Sequence, residues 1–365
     1  MNERAFPVRR VAIIGIDNFD RKNRPQLIGL NDRGYVFDVF TADRLGDSAT
    51  NIPDGNRLIR LAPGFISRTR QLIRYFRDNS AAINHVEVYP RGRYAGMIAL
   101  LARAFRLPLM TVERGDLQSF GSVDRVTRIA MRTCYRLAGT VWYRQFLRGG
   151  QAAQERMIAR LGARRSFFLP NAVCVPQASV SLTGREIDFI WVNSLIRERR
   201  GDWFVDLFSD APFNSSRVVV SGLKTPATPR VAAQQQYIAK RAAPNIQLRA
   251  WSDPTDLYCS ARFFALPSET VYCNNSLLEA MAFGVVPLVS DVEGARLIVD
   301  DGIDGIVFEH SFAGFRAAVE KALALSDEEY ATLSRNAVKK VRDKFSLDRW
   351  IGSLEQEYRR LAGER

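Results

Sequence analysis

The segment richest in chemistry is PSETVYCNNSLLEAMAFG, residues 267–284. A strand-like apolar run ends at Pro267 and polar residues follow. Asn274 or Asn275 then stands at the cap position before the strong helix formers Leu277, Leu278, Glu279, Ala280, Met281 and Ala282. A loop that feeds a helix start presents unpaired backbone amides and the positive end of the helix dipole, which together suit a phosphate or pyrophosphate. Glu279 falls about one turn inside, where its carboxylate can accept hydrogen bonds from a ribose diol. A surface glutamate on an ordinary helix is the plain alternative, so the weight rests on the pattern around it.

The elements that would position this loop recur along the chain. Residues 11–16 and 35–40 are apolar runs, with Gly34 suited to a helix C-cap between them. Residues 85–89, 94–105 and 108–112 read as strand, helix, strand, and 140–143 and 166–169 bracket a helical stretch at 151–161. After a mixed, loop-like stretch at 174–186 the pattern restarts, with strands at 187–192, 217–221, 246–248, 261–266 and 285–289 separated by helices such as 202–208 and 232–241. This alternation predicts an α/β chain of two doubly wound, Rossmann-like domains, residues 1–178 and 179–345, with a polar helix in 346–365 packing back across the junction. Open parallel sheets bind ligands beyond the carboxyl ends of their strands, so two such domains facing each other would suit chemistry between two bound molecules in the cleft.

Composition narrows the classes further. The chain has 365 residues, 47% hydrophobic and 25% charged, which excludes disorder, collagen and coiled coil. No apolar run approaches the roughly 20 residues of a spanning helix. The first residues run directly into a strand with no apolar signal core, so a cytoplasmic chain is expected. Cys134, Cys174, Cys259 and Cys273 form no C-x-x-C pair, and the two histidines, His85 and His310, read as structural or solvated. No metal centre is expected. Residues 1–178 carry 29 Lys and Arg against 14 Asp and Glu, whereas the remainder carries 23 against 25, so the formal charge of +13 belongs to the first half. Such a field attracts nucleic acid, an acidic membrane surface or a phosphorylated substrate without choosing among them.

The 267–284 segment resembles the donor-binding signature of glycosyltransferase family 4, P-S-x-x-E-G-x-x-x-x-L-L-E-A-M-A-x-G followed by P-V-V-x-S-D-x-G-G. Its continuation here is VPLVSDVEG at 286–294, and DGIDGIVF at 301–308 is similar to the family's G-x-x-G-x-L-V. Upstream, PNIQL at 244–248, WSDP at 251–254 and LYCSA at 257–261 look like its strand, loop and Y-x-x-A-D helix, and LPNAV at 169–173 looks like its interdomain P-N-G-V turn. The likeness is dense in the second domain and loose in the first.

The resemblance implies a GT-B fold, with a sugar nucleotide on the C-terminal domain, an acceptor on the N-terminal one, retention at the anomeric carbon and no metal or other cofactor. Glu279 inherits the ribose-holding role, and backbone amides around Asn274, Asn275 and Ser276 receive the pyrophosphate. The family's first glutamate falls on Val271, which cannot hydrogen-bond a sugar hydroxyl, and Glu269 is the candidate substitute. Its G-R-L-x-x-E-K-G stretch becomes NSLIRERRG at 193–201, so Asn193 and Ser194 replace Gly-Arg and the Lys position falls on Arg199 or Arg200. Arginine can neutralise a departing diphosphate, often bidentately. A solvated charge run is the alternative. On the acceptor side, Asp17 lies in the place of the family's glycine-rich loop. Glu113, Arg114 and Asp116 occupy its H-G or H-D turn, or else form a structural salt bridge there.

Two basic stripes remain. Arg125, Arg128, Arg132 and Arg136 share one helix face, and Arg68, Arg70, Arg74 and Arg77 interleave with Ile66, Leu72, Ile73 and Phe76. Either suits an anionic lipid surface, where a lipid-linked glycan would be presented; a solvated helix is the alternative. The expected activity is transfer of a sugar from a nucleoside diphosphate sugar to a hydroxyl of a surface glycan. The competing readings are a catalytically silent binding protein that keeps the fold, and a nucleic-acid binder, for which no motif is present.

Overall fold

The computed structural model describes residues 9–16, 24–41, 52, 54–90, 92–146, 149–177, 181–225, 227–272 and 274–363. Contacts divide the chain into two compact units, Met1–Pro170 with Leu347–Arg365, and Asn171–Ser346. Where the sequence pattern suggested a division after residue 178, the contacts group 171–178 with the second unit. There Val173 donates its N–H to the carbonyl of Phe345 at 3.0 Å and bridges to Ser346.

In the first unit, β1 (Arg9–Ile16), β2 (Tyr35–Thr41), β3 (Arg57–Arg60), β4 (Ile83–Val88), β5 (Leu109–Glu113), β6 (Thr140–Tyr143) and β7 (Ser166–Phe168) form one sheet in the order β3-β2-β1-β4-β5-β6-β7. Every pairing is parallel. The connections are α1 (Arg24–Asn31), α2 (Phe65–Asn79), α3 (Tyr94–Ala104), α4 (Arg125–Leu137) and α5 (Gly150–Arg160). Edge strand β3 escaped the sequence reading because it is short and only partly buried, with arginines at both ends.

Leu72 and Phe76 of α2 are fully buried against β1 and β4, so they belong to the core and not to an interleaved surface stripe. The last helix, α13 (Leu347–Leu361), packs on α1. Gln26, Glu87 and Tyr358 meet there in a fully buried network: the Tyr358 hydroxyl donates to Glu87 Oε1, and Gln26 Nε2 donates to both carboxylate oxygens at 3.2 Å. His85, also fully buried, sets its ring edge-on to that of Tyr358, with centroids 4.2 Å apart.

The second unit repeats the plan. Strands β8 (Ile187–Val192), β9 (Val218–Leu223), β10 (Ile246–Ala250), β11 (Ala261–Leu266), β12 (Val286–Ser290) and β13 (Ile306–Phe308) lie parallel in the order β10-β9-β8-β11-β12-β13. Helices α6 (Gly201–Ser209), α7 (Pro229–Arg241), α8 (Thr255–Ser260), α9 (Asn275–Ala282), α10 (Ala295–Ile298), α11 (Phe312–Leu323) and α12 (Asp327–Lys340) flank it. Side chains alternate across a strand, so Phe189 and Trp191 pack with α6 and α11 on one face. Ile190 and Val192 pack with α8 and α9 on the other. Burial on both faces explains the apolar runs at 189–192 in β8 and 263–266 in β11.

Candidate active site

Two loops leave adjacent central strands of the second sheet at their carboxyl ends, one after β8 and one after β11. Residues 268–274 carry the chain from β11 into α9. Asn274 caps that helix, its Oδ1 accepting the Leu277 N–H at 3.0 Å. Asn275 is committed elsewhere: its Oδ1 accepts from Asn171 Nδ2 at 2.7 Å, which ties the 169–173 turn to the helix start. The N–H groups of Asn275 and Ser276 are first-turn amides with no partner inside the helix. One turn on, Glu279 Oε2 accepts the Tyr258 hydroxyl from α8 at 3.2 Å, which fixes where the carboxylate points. Val271 is fully buried in the core and donates its N–H to Glu293 O at 3.1 Å. An apolar residue there is a packing requirement, and its side chain does not face the loop's polar side.

The loop after β8 is docked onto the first. Glu269 N–H donates to Glu198 O at 2.9 Å, and Arg199 Nη1 donates to Ser268 Oγ at 3.1 Å and Thr270 O at 2.8 Å. Desolvation holds the Arg199 guanidinium below its ordinary pKa. Arg200 takes a left-handed backbone, φ 52°, which costs a non-glycine residue about 1 kcal/mol. That turn aims its guanidinium at Glu269, Nη2 to Oε1 2.8 Å, with the charge 5.0 Å from the Trp203 ring centroid. The His310 ring lies tilted against Trp203, centroids 5.0 Å apart, with Nδ1 3.2 Å from Ser290 Oγ. Burial first, and then Arg200, keep the His310 pKa below its usual value.

Among the described residues, Asn193 Nδ2 and Arg200 Nε are buried donors without a hydrogen-bond partner. Asn193 Oδ1 is satisfied by the Ser194 N–H at 2.9 Å. The backbone there is crowded: a Cβ on Gly222 would lie 1.8 Å from Asn193 O, so only glycine fits. Arg199, Arg200, Glu269, Asn193 and Ser194 are therefore brought together by the two docked loops, and Glu279 and Asn274–Ser276 lie on the helix that one of those loops feeds. Sequence reasoning missed Trp203 and His310, which stand outside the motif and reach the site only through the fold.

In the first unit, Glu113 ends β5 and turns inward. Its Oε1 accepts the Gly115 N–H at 2.7 Å and its Oε2 accepts the Tyr135 hydroxyl at 2.8 Å. Burial, and secondarily the Asp116 charge, push its pKa up to about 7. Arg114 and Asp116 line a cavity of about 390 Å³ with Gln118, Ser119, Thr127 and Gln145. The Glu113 side chain is thus a fastening beneath this cavity and not part of its wall. Asp17 lies outside the described residues. Among the described residues, no group of three His, Cys, Asp or Glu could hold a metal ion.

Residues 186–325 match the family Glycosyl transferases group 1. The second unit carries a glycosyl transferases group 1 domain. A 149-residue stretch is 28% identical to the capsular polysaccharide biosynthesis glycosyltransferase CapM of Staphylococcus aureus, covering 40% of this chain and 38% of that relative. Among solved structures, a glycosyltransferase from Rickettsia africae superposes with a TM-score of 0.77 at 10% identity, covering 98% of this chain and 99% of that one. HepE from Anabaena in complex with UDP superposes at 0.75 and 13% identity over 96% and 99%. Sucrose-phosphate synthase from Thermosynechococcus elongatus gives 0.72 and 15% over 97% and 99%. The fold of the chain is GT-B.

Proposed function

We propose that the protein is a retaining, family 4 glycosyltransferase that moves a sugar from a nucleoside diphosphate sugar to a hydroxyl of a lipid-linked surface glycan. The observation that carries the reading is the pair of unsatisfied buried donors, Asn193 Nδ2 and Arg200 Nε, in a loop docked to the one that feeds α9. A buried donor left unpaired costs about 1–3 kcal/mol, which diphosphate oxygens would recover. The complex of HepE with UDP supports this class of donor, and the capsular polysaccharide biosynthesis of CapM supports this class of product.

In this reading Glu279, oriented by Tyr258, accepts the ribose hydroxyls. As the bond between the anomeric carbon and the diphosphate oxygen lengthens, charge grows on the diphosphate. Arg199, Arg200, Asn193, Ser194 and the amides of Asn275 and Ser276 offset it without a metal. The acceptor oxygen bonds to the same face of the sugar, and its proton passes to the departing phosphate. Glu269, held by Arg200, takes the hydroxyl-accepting task that Val271 cannot perform.

Arg114 and Asp116 contact the acceptor in the first-unit cavity. Helices α2 and α4 present that unit to the inner face of the membrane. Phe65, Ile66 and Ile73 are exposed on α2, and Val126 and Ile129 on α4, beside Arg70, Arg74, Arg77, Arg125, Arg128, Arg132 and Arg136, also exposed. No helix among the described residues is long and apolar enough to cross a membrane.

Incubation with UDP- and GDP-sugars tests the reading: nucleoside diphosphate is released, and NMR of the product shows the donor's anomeric configuration kept. Binding of donor without release favours instead a silent GT-B binding protein, to which the lack of a glutamate at position 271 lends support.

A further inference from the structure

At the carboxyl end of α9 the second unit holds a cavity of about 520 Å³, within the range of small-molecule sites. The amide turn is at the other end of that eight-residue helix, about 12 Å away at 1.5 Å per residue, so this is a separate place. Leu182, Ala282 and Val338 contribute apolar wall, and Arg335, Lys339 and Arg342 contribute cations. The three cations recur at i, i+4 and i+7, which sets them along one face as α12 passes into the π-helical turn Val341–Phe345. Lys339 is already neutralised by Asp343 at 2.6 Å, so the excess charge rests on Arg335 and Arg342, both exposed.

The inner polar groups are spoken for. Ser334 Oγ donates to Gly284 O at 2.6 Å. Gly284, at φ +72°, also keeps the corner open, because a Cβ there would lie 2.7 Å from that hydroxyl and 3.5 Å from Leu182 Cδ2. What is left is hydrocarbon wall beside uncompensated guanidinium charge. Free inorganic phosphate would leave the wall wet, and a neutral hydrocarbon would leave the cations unused.

We propose that this cavity binds an amphipathic anion, a phosphate monoester carried on a hydrocarbon chain. The alkyl part lies on Leu182, Ala282 and Val338 while the phosphate accepts hydrogen bonds from Arg335 and Arg342.

Calorimetric titration of the full-length protein with octyl phosphate, inorganic phosphate and octanol tests it. One saturable site for octyl phosphate is expected, with each of the other two probes at least about tenfold weaker. The surface double variant Arg335→Ala/Arg342→Ala should weaken octyl phosphate at least about tenfold, and Val338→Trp, which fills the cavity, should abolish binding. Unchanged binding in the double variant overturns the proposal, whether or not Val338→Trp folds. So does inorganic phosphate binding as tightly as octyl phosphate. A thermal shift with UDP, read on the same samples, reports on the donor site independently: its absence in the wild type would sink the donor reading and leave this one standing.

Discussion

The guanidinium of Arg200 reaches Oε1 of Glu269 at 2.8 Å, joining two loops that leave the neighbouring strands β8 and β11. The pair holds a cation beside a carboxylate before any ligand arrives, and the proposed mechanism assigns the first to the leaving group and the second to the sugar. Because Arg200 also bears a left-handed φ of 52°, the chain tolerates local strain to hold that charge in place.

Arg200→Gly separates the two roles. Glycine relieves the strained φ, so stability should change by no more than about 1 kcal/mol in either direction. kcat should fall at least about a hundredfold, since a cation on the departing diphosphate is lost. Urea melts alongside donor turnover check it; a variant with wild-type kcat removes Arg200 from the chemistry.

Glu279→Ala should weaken UDP or GDP binding about 10- to 100-fold, the loss of hydrogen bonds to a charged acceptor at about 1.5–3 kcal/mol. Tyr258→Phe, which only unfixes the carboxylate, should cost about 10-fold or less. Calorimetry with each nucleotide gives both values, and unaltered affinity in Glu279→Ala overturns its ribose role.

The first unit should lose stability as pH rises through neutrality. Glu113 has its pKa raised to about 7 from an ordinary 4.5, so its protonated form is the one the fold favours. That stabilisation is complete below about 4.5 and is lost progressively as pH climbs to about 7, on the order of 3 kcal/mol at most. Glu113→Gln keeps an acceptor for Gly115 and should flatten this part of the curve. Thermal melts of both proteins between pH 5 and 8, about the span over which such a group titrates, compare them directly.

Chelation should leave turnover unchanged, because the diphosphate charge is assigned to Arg199, Arg200 and helix amides. A loss of activity in EDTA that magnesium or manganese restores would falsify that assignment.

Substituting Arg125, Arg128, Arg132 and Arg136 by Ala should reduce flotation with anionic vesicles at least about tenfold, at roughly 1 kcal/mol per cation, without affecting UDP binding. Raising salt should have the same effect on the wild type. Salt-insensitive flotation would point to another contact.

The parts of this site that could be read from the sequence are those built from neighbours in the chain. Residues 267–284 encode strand, cap and helix through their own propensities, and helical spacing puts Glu279 one turn inside, so both were visible, although the hydroxyl of Tyr258 that orients the carboxylate was not. The side-chain pairings were not. Nothing near Arg200 announces Glu269, nothing near Trp203 announces His310, and the choice of Asn274 over Asn275 as cap is settled by Asn171, 104 residues away from Asn275. The inward turn of Glu113 was equally hidden: its partner Tyr135 sits on α4, a helix read for its arginines. The Val271 side chain could be recognised as unable to bond sugar, but its place in the core required the packing of α9 against β11 and β12.

The Gln26–Glu87–Tyr358 network bears on how the protein is made. Residues 347–361 leave the ribosome only after the entire second unit, so until then Glu87 lies in a half-finished interior with no hydroxyl to meet it. Cutting the gene after codon 170 should yield insoluble product, whereas grafting the last helix back through a short linker should restore a soluble first unit.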